Sequence, residues 1–211
     1  DPKLLLKLPP HITSTTGMDA LTHAVEAYTN LFHTKRIKRH ALEATKLIYE
    51  NLYESYLHPD NLELRNNMQI AAYKAGVAFT NAYVGNVHAI AHALGGAYNV
   101  PHGLANSLIL PVMLKDYGKT IYGSCARIYD YINMGDKNIS KKEKTEKFIA
   151  WIEDMNKKMN IVSNFETLIK DEDVPKLSGY SHKEAFPLYP TPRMYSKKEF
   201  ERLYQLVKHA K

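Results

Sequence analysis

Apolar residues recur at gaps of three and four along almost the whole chain, and this period limits the fold more than any other feature. A helix turns about 100° per residue, so residues at these gaps share one face. Four such stripes stand out: Ala41, Ala44, Ile48, Leu52 and Tyr56; Met68, Ala71, Ala75, Phe79 and Ala82; Phe148, Ile152, Met155 and Met159; Phe200, Leu203 and Val207. Each face needs an apolar partner, so the sequence predicts an all-α, bundle-like fold.

Capping residues predict where several helices begin. Serine followed three residues later by glutamate, the capping-box pattern, starts at Ser140, Ser181 and Ser196. Thr15 or Thr16 is the expected N-cap of an earlier helix.

The first ten residues, DPKLLLKLPP, break the helical pattern. Their short apolar run predicts a short extended N-terminal arm over 1–10, ahead of a helical domain over 11–211. A lone strand is unstable without a partner. The segment therefore either packs as an arm or belongs to a sheet formed by sequence outside these residues.

Charge and cysteine content exclude several classes of protein. The net charge is +6, but acidic and basic residues alternate at helical spacing in the most basic stretches, which is typical of a solvated helix face. We therefore expect no nucleic-acid partner. No apolar run is long enough to cross a membrane. The only cysteine, Cys125, excludes an intramolecular disulfide and favours a reducing, cytoplasmic location.

Three histidines fall within residues 88–102, HAIAHALGGAYNVPH. His88 and His92 lie one helical turn apart, and a helix end at Gly95-Gly96 could bring His102 back towards them. Ala89 replaces the glutamate of a HExxH metalloprotease. On this segment alone a metal site and structural histidines remain equally open, although several buried imidazoles without partners would be costly.

A second segment, TTGMDALTHAVEAYT, favours the metal site. Asp19 and His23 are four residues apart on one helix face, although such a pair can also be a simple hydrogen-bonded couple. Together with His88 and His102 they supply one oxygen and three nitrogen donors. This set suits Fe²⁺ or Zn²⁺. Without thiolates it is unlike a structural zinc site.

GMDALTHAVEAYT (17–29) and NVHAIAHALGGAYNVPHGLANSLILP (86–111) closely resemble signature segments of the iron-containing, group III alcohol dehydrogenases. The resemblance implies a dehydroquinate synthase-like fold, in which an N-terminal α/β domain binds NAD or NADP and an all-helical C-terminal domain holds the metal. It implies four metal ligands: Asp19, His23, His88 and His102. His92 is implied as a proton-handling catalytic residue rather than a ligand, and Phe79 as a residue of the substrate pocket.

The same resemblance suggests what is missing. The family carries a Gly-Gly-Gly-Ser phosphate-binding turn, and this sequence has none. We therefore expect a C-terminal metal-binding half, with the arm over 1–10 leading from an N-terminal domain that holds most of the cofactor contacts. Cofactor-binding residues cannot be assigned here. The family implies a homodimer or larger assembly.

The expected function is metal-dependent, NAD(P)-linked oxidation of small alcohols and reduction of aldehydes, with this half inactive alone. Two alternatives remain open. A metallohydrolase would use a metal-bound water and need no nucleotide. A non-catalytic helical interaction module would use its histidines for structure only.

Overall fold

The computed structural model describes residues 1–162 and 164–210, and over these the chain forms ten α-helices, two short 3-10 helices and no strand. The all-α prediction is confirmed. The 3-10 helices span Pro2–Leu5 and Gly118–Thr120. The α-helices are α1 (Pro10–Thr29), α2 (Lys35–Leu57), α3 (Leu62–Ala82), α4 (Asn86–Tyr98), α5 (His102–Tyr117), α6 (Tyr122–Tyr131), α7 (Lys141–Lys158), α8 (Phe165–Leu168), α9 (Val174–Ala185) and α10 (Lys197–Lys208).

Helix α1 lies at the centre of the fold. It packs against α2, α3, α5 and α6, and most of its residues are buried. A helix buried on nearly every side has to be apolar nearly all round, which explains why α1 lacks a clear polar face. Helices α4 and α5 pack on one another, and α9 packs against both α4 and α10. This arrangement brings α1, α4 and α5 together.

The predicted apolar stripes form the core. Ile48 and Leu52 of α2, Phe148 of α7 and Leu203 of α10 are fully buried, as their helical spacing predicts. They belong to one continuous cluster that runs through the described residues. Among those residues, none of the helices combines the length and the apolar character needed to cross a bilayer.

The prediction of an extended N-terminal arm is wrong. Residues Pro2–Leu5 form a 3-10 helix, and the Asp1 carboxylate accepts a hydrogen bond from the Lys3 backbone N–H (3.0 Å). Pro2 fixes a φ angle that suits a helical turn. The short helix packs on α3, so the apolar run finds a partner without a sheet. The division of the chain at residue 10 stays a prediction.

Two of the predicted helix starts are also wrong. Helix α1 begins at Pro10, upstream of Thr15 and Thr16, because proline is well suited to the first turn of a helix. The two threonine hydroxyls donate instead to backbone carbonyls of the preceding turn. Ser181 lies inside α9, where its hydroxyl donates to the carbonyl of Ala89 (3.0 Å). The capping boxes at Ser140 and Ser196 are confirmed.

Asp116, in the last turn of α5, joins that helix to the C-terminal part of the chain. Its carboxylate accepts hydrogen bonds from the Tyr195 hydroxyl (2.6 Å) and the Arg202 guanidinium (2.7 Å), and Arg193 lies 3.6 Å away. Burial alone would raise the pKa of the Asp116 carboxyl. The hydrogen bonds from Arg202 and Tyr195 outweigh it and bring the pKa below its ordinary value of 3.8.

We expect Asp116→Asn to lower the free energy of unfolding at pH 7 by about 1–3 kcal/mol, since hydrogen bonds to a charged group are lost. Because the folded-state pKa lies below 3.8, this stabilisation is present above pH 3.8 and disappears as pH falls through the folded-state pKa. Urea unfolding of the wild type and of Asp116→Asn at pH 7 and pH 3 measures the difference in their free energies of unfolding. A difference that stays constant between the two pH values would contradict the ionic origin.

Candidate metal centre

Four side chains from three helices meet at one point. Asp19 and His23 stand one turn apart on α1, His88 lies in the first turn of α4, and His102 opens α5. One donor atom of each lies within 4.8 Å of the donor atoms of the other three. The convergence expected from the sequence is therefore present in the fold.

The donor atoms have the spacing that a small divalent cation requires. Asp19 Oδ1 lies 3.4 Å from His102 Nε2 and 3.8 Å from His88 Nε2, and Asp19 Oδ2 lies 3.8 Å from His23 Nδ1. Ligand atoms about 2.1 Å from a tetrahedral ion stand roughly 3.4 Å from one another. The distances from Asp19 to the three histidines are close to that value, and all four donors lie within 4.8 Å of one another, so the four residues fit a divalent metal.

The chemistry of the imidazoles also fits a metal. Burial lowers the pKa of His23 from 6.5 to about 4, and burial likewise lowers the pKa of His102. The His23 ring is stacked between the rings of Phe79 and His88, with centroids 4.3 and 4.5 Å away. Neutral rings keep a lone pair available for coordination, which is the form that a divalent cation binds.

Asn106, one turn after His102 on α5, identifies the point where the lone pairs converge. Its amide nitrogen lies 2.6 Å from Asp19 Oδ1, 3.1 Å from His88 Nε2 and 3.0 Å from His102 Nε2. Its amide oxygen is buried and has no hydrogen-bond partner. An NH₂ group that lies beside three acceptors occupies a position that suits a positive charge. Sequence reasoning missed Asn106, although the spacing of four from His102 could have indicated it.

The chain reversal between His88 and His102 differs from the prediction. Helix α4 does not end at Gly95-Gly96 but continues to Tyr98, and Asn99 takes the left-handed conformation with φ of 54°. Asparagine tolerates this conformation better than most residues. Pro101 then precedes α5.

Gly103 lets α5 approach α1 closely. A Cβ at this position would lie 2.6 Å from the carbonyl oxygen of Thr15, too near for any side chain. This close contact between α5 and α1 holds His102 next to Asp19.

A buried carboxylate that the sequence reasoning missed orients His88. Glu26 Oε2 lies 2.6 Å from His88 Nδ1, which leaves His88 Nε2 facing Asp19. Carboxylates hold metal-binding histidines in this way in many sites. The available signal was an acidic residue inside the otherwise apolar run AVEAY, three residues after His23 on the same helix.

His92 lies beside the four donors without joining them. Its ring stacks on His102 at 5.1 Å between centroids, and its Nδ1 lies 2.6 Å from Glu184 Oε1. The hydrogen bond to Glu184 raises the pKa of His92. Glu184 Oε1 also accepts a hydrogen bond from the Tyr189 hydroxyl (2.7 Å), so two partners fix this oxygen beside His92.

A cavity of about 360 Å³ opens onto this centre. Its walls are formed by His23, Phe79, Thr80, Tyr83, Val84, His88, His92, His102 and Tyr189. Phe79 lies where its predicted role requires, although a role in substrate binding stays a prediction. The cavity combines apolar walls with polar groups at one end, which suits a small organic molecule with one polar terminus.

Residues 13–207 match the family model described as "Fe-containing alcohol dehydrogenase family, C-terminal". The chain is 34% identical over 209 residues to the 1,3-propanediol dehydrogenase of Klebsiella pneumoniae, covering 97% of this chain and 53% of that protein. It is 32% identical to the NADPH-dependent butanol dehydrogenase of Clostridium saccharobutylicum, with coverage of 98% and 53%. A crystal structure of 1,3-propanediol oxidoreductase superposes with a TM-score of 0.92 at 33% identity, covering 98% of this chain and 54% of that one.

Proposed function

Because the chain belongs to the iron-containing alcohol dehydrogenase family, we propose that it forms the metal- and substrate-binding half of an enzyme that oxidises small alcohols and reduces aldehydes with NAD or NADP. The observation that carries this proposal is the meeting of Asp19, His23, His88 and His102 beside a cavity. The chain spans about half the length of the curated relatives it matches, so the activity of the whole enzyme is part of the proposal.

Asp19, His23, His88 and His102 would hold Fe²⁺ or Zn²⁺. Such an ion supplies Lewis acidity, which makes the hydroxyl proton of a bound alcohol easier to remove. The three histidines line the cavity, so they determine where the hydroxyl end of the substrate binds. The apolar ring of Phe79, stacked on His23, then faces the carbon chain of the substrate.

His92 accepts the hydroxyl proton in this mechanism. It lines the same cavity, and Glu184 bonds its Nδ1, which directs the other ring nitrogen away from Glu184 and leaves it for the substrate. The nicotinamide supplies the acceptor for the hydride that leaves the carbinol carbon. Loss of one proton and one hydride converts the alcohol to the aldehyde, and the reverse reaction returns both.

The proposal can be tested on the 211-residue chain loaded with Co²⁺, whose visible absorption reports on its ligands. We expect about one Co²⁺ per chain, and a change in the absorption when 1-butanol or butanal is added, because the substrate oxygen reaches the metal centre. With no Gly-Gly-Gly-Ser turn in this sequence, we expect no NAD(P)H formation by these residues alone.

Other results would favour the alternatives. Metal-dependent hydrolysis of esters or phosphates without nucleotide would identify a metallohydrolase. Absence of stoichiometric Co²⁺ binding would favour a helical interaction module with structural histidines. The cytoplasmic location and an assembly of two or more copies remain proposals; gel filtration with light scattering tests the second.

A further inference from the structure

Glu26 is a charged residue in the most buried helix of the protein. It lies on α1, one turn after His23, and only 3% of its surface is exposed. A carboxylate in such surroundings is strongly destabilising unless several donors bond to it. The identity of those donors therefore indicates what Glu26 does.

All three donors to Glu26 belong to the start of α4. Oε1 accepts from the backbone N–H of Val87 (2.8 Å), and Oε2 accepts from the backbone N–H of Gly85 (2.9 Å) and from His88 Nδ1 (2.6 Å). The N-cap residue Gly85 has no side chain to satisfy these free N–H groups. Glu26 caps α4 from a different helix, and its negative charge suits the positive end of the helix dipole.

The same carboxylate sets the tautomer of the neutral His88 ring. A carboxylate accepts hydrogen bonds and does not donate them, so the ring proton of neutral His88 must be on Nδ1. The lone pair is then on Nε2, which faces Asp19 Oδ1 at 3.8 Å. Asp19 and Glu26 lie on the same helix, so α1 provides one carboxylate on each side of the His88 ring.

We propose that Glu26 is a positioning residue for the metal centre: it fixes the place of α4 and the tautomer of His88 in a single set of hydrogen bonds. The inference rests on the proposed metal-binding role of His88. It goes beyond the proposed function because Glu26 is not one of the four proposed ligands.

Gly85 provides a second way to perturb this contact. A Cβ at residue 85 would lie 2.6 Å from Glu26 Oε1, so alanine there displaces the carboxylate while its charge is kept. Gly76 is the matched control, because a Cβ at that position of α3 has no neighbour within 4 Å.

The principal variant is Glu26→Gln. Glutamine has one acceptor oxygen, so its NH₂ group must face either Val87 N–H or the pair formed by Gly85 N–H and His88 Nδ1. We expect a 10- to 100-fold loss of Co²⁺ affinity, which is the usual effect of losing a residue that hydrogen-bonds a metal ligand. Chelator competition measures the loss under conditions where all variants are fully folded. In the metal-free chain, long-range ¹H–¹⁵N spectra should show His88 protonated at Nδ1, and a new population protonated at Nε2 in Glu26→Gln.

An affinity of Glu26→Gln within about twofold of the wild type would overturn the inference, as would wild-type His88 protonated at Nε2. If Glu26→Gln does not fold, the Co²⁺ affinity and the His88 tautomer of Gly85→Ala test the inference instead. We expect Gly76→Ala to match the wild type in both. The spectra of the metal-free chain test Glu26 even if the wild type binds no Co²⁺. A wild type that binds no Co²⁺ would contradict the proposed function, whereas the spectra would still report whether Glu26 fixes the tautomer of His88.

Discussion

Replacing His88 by alanine lowers the affinity of the chain for Fe²⁺ or Zn²⁺ by more than about 100-fold, which exceeds the usual effect of losing an outer-shell partner. His88 is the least exposed of the four donors and has its Nε2 directed at Asp19. Glu26 is not free to take its place, because its carboxylate is bonded to the backbone of α4. Titration against a fluorescent chelator measures the loss.

The matched comparison is His92→Ala. The two histidines share α4 and are four residues apart, but His92 is exposed and bonded to Glu184 instead of facing Asp19. We expect His92→Ala to retain metal binding within a fewfold of the wild type. Equal losses from His88→Ala and His92→Ala would show that ligand and proton-handling roles have been divided wrongly.

Removing the metal should lower the melting temperature substantially. The four donors come from three helices and meet only in the folded chain, so a metal held by them would bind the native state in preference to the unfolded state. At free metal 1,000 times above the dissociation constant, the stabilisation is about 4 kcal/mol. For a chain of this size that corresponds to roughly 10 °C. Thermal unfolding followed by circular dichroism, with and without EDTA, tests this expectation.

The variant His88→Ala serves as the control, because its melting temperature should respond little to EDTA. A wild-type melting temperature that is unchanged by EDTA would contradict the metal centre and support a structural role for the histidines. The chelator titration measures the affinity itself, and the melting curves measure how that affinity is linked to folding.

Periodicity was sufficient to predict the helices but not their ends. Buried positions such as Ile48 and Phe148 repeat with the helix, so any helical packing has to bury them. The local capping pattern was enough at Ser140 and Ser196, but other helix ends depend on tertiary contacts that no local pattern contains. Ser181 has the sequence of an N-cap, yet its hydroxyl bonds to Ala89, 92 residues away, inside α9. The sequence DPKLLLKLPP similarly resembles a strand until α3 provides its partner.

The donor set was predictable because its members have regular local spacing. Asp19 and His23 are one turn apart, and His88 precedes a recognisable chain reversal to His102. Their supporting residues were not predictable from spacing alone. Glu26 reaches His88 across 62 residues, and Glu184 reaches His92 across 92. The packing of α1 and α4 on α5, and of α9 on α4, brings these carboxylates to the rings.

The close approach of α1 and α5 at Gly103 has a consequence for substitutions at this position. Residue 103 has no space for a methyl group beside the Thr15 carbonyl oxygen. His102 directly precedes Gly103, and Asp19 lies one turn after Thr15 on α1. A residue larger than glycine at position 103 would therefore push apart the two helices that carry these donors.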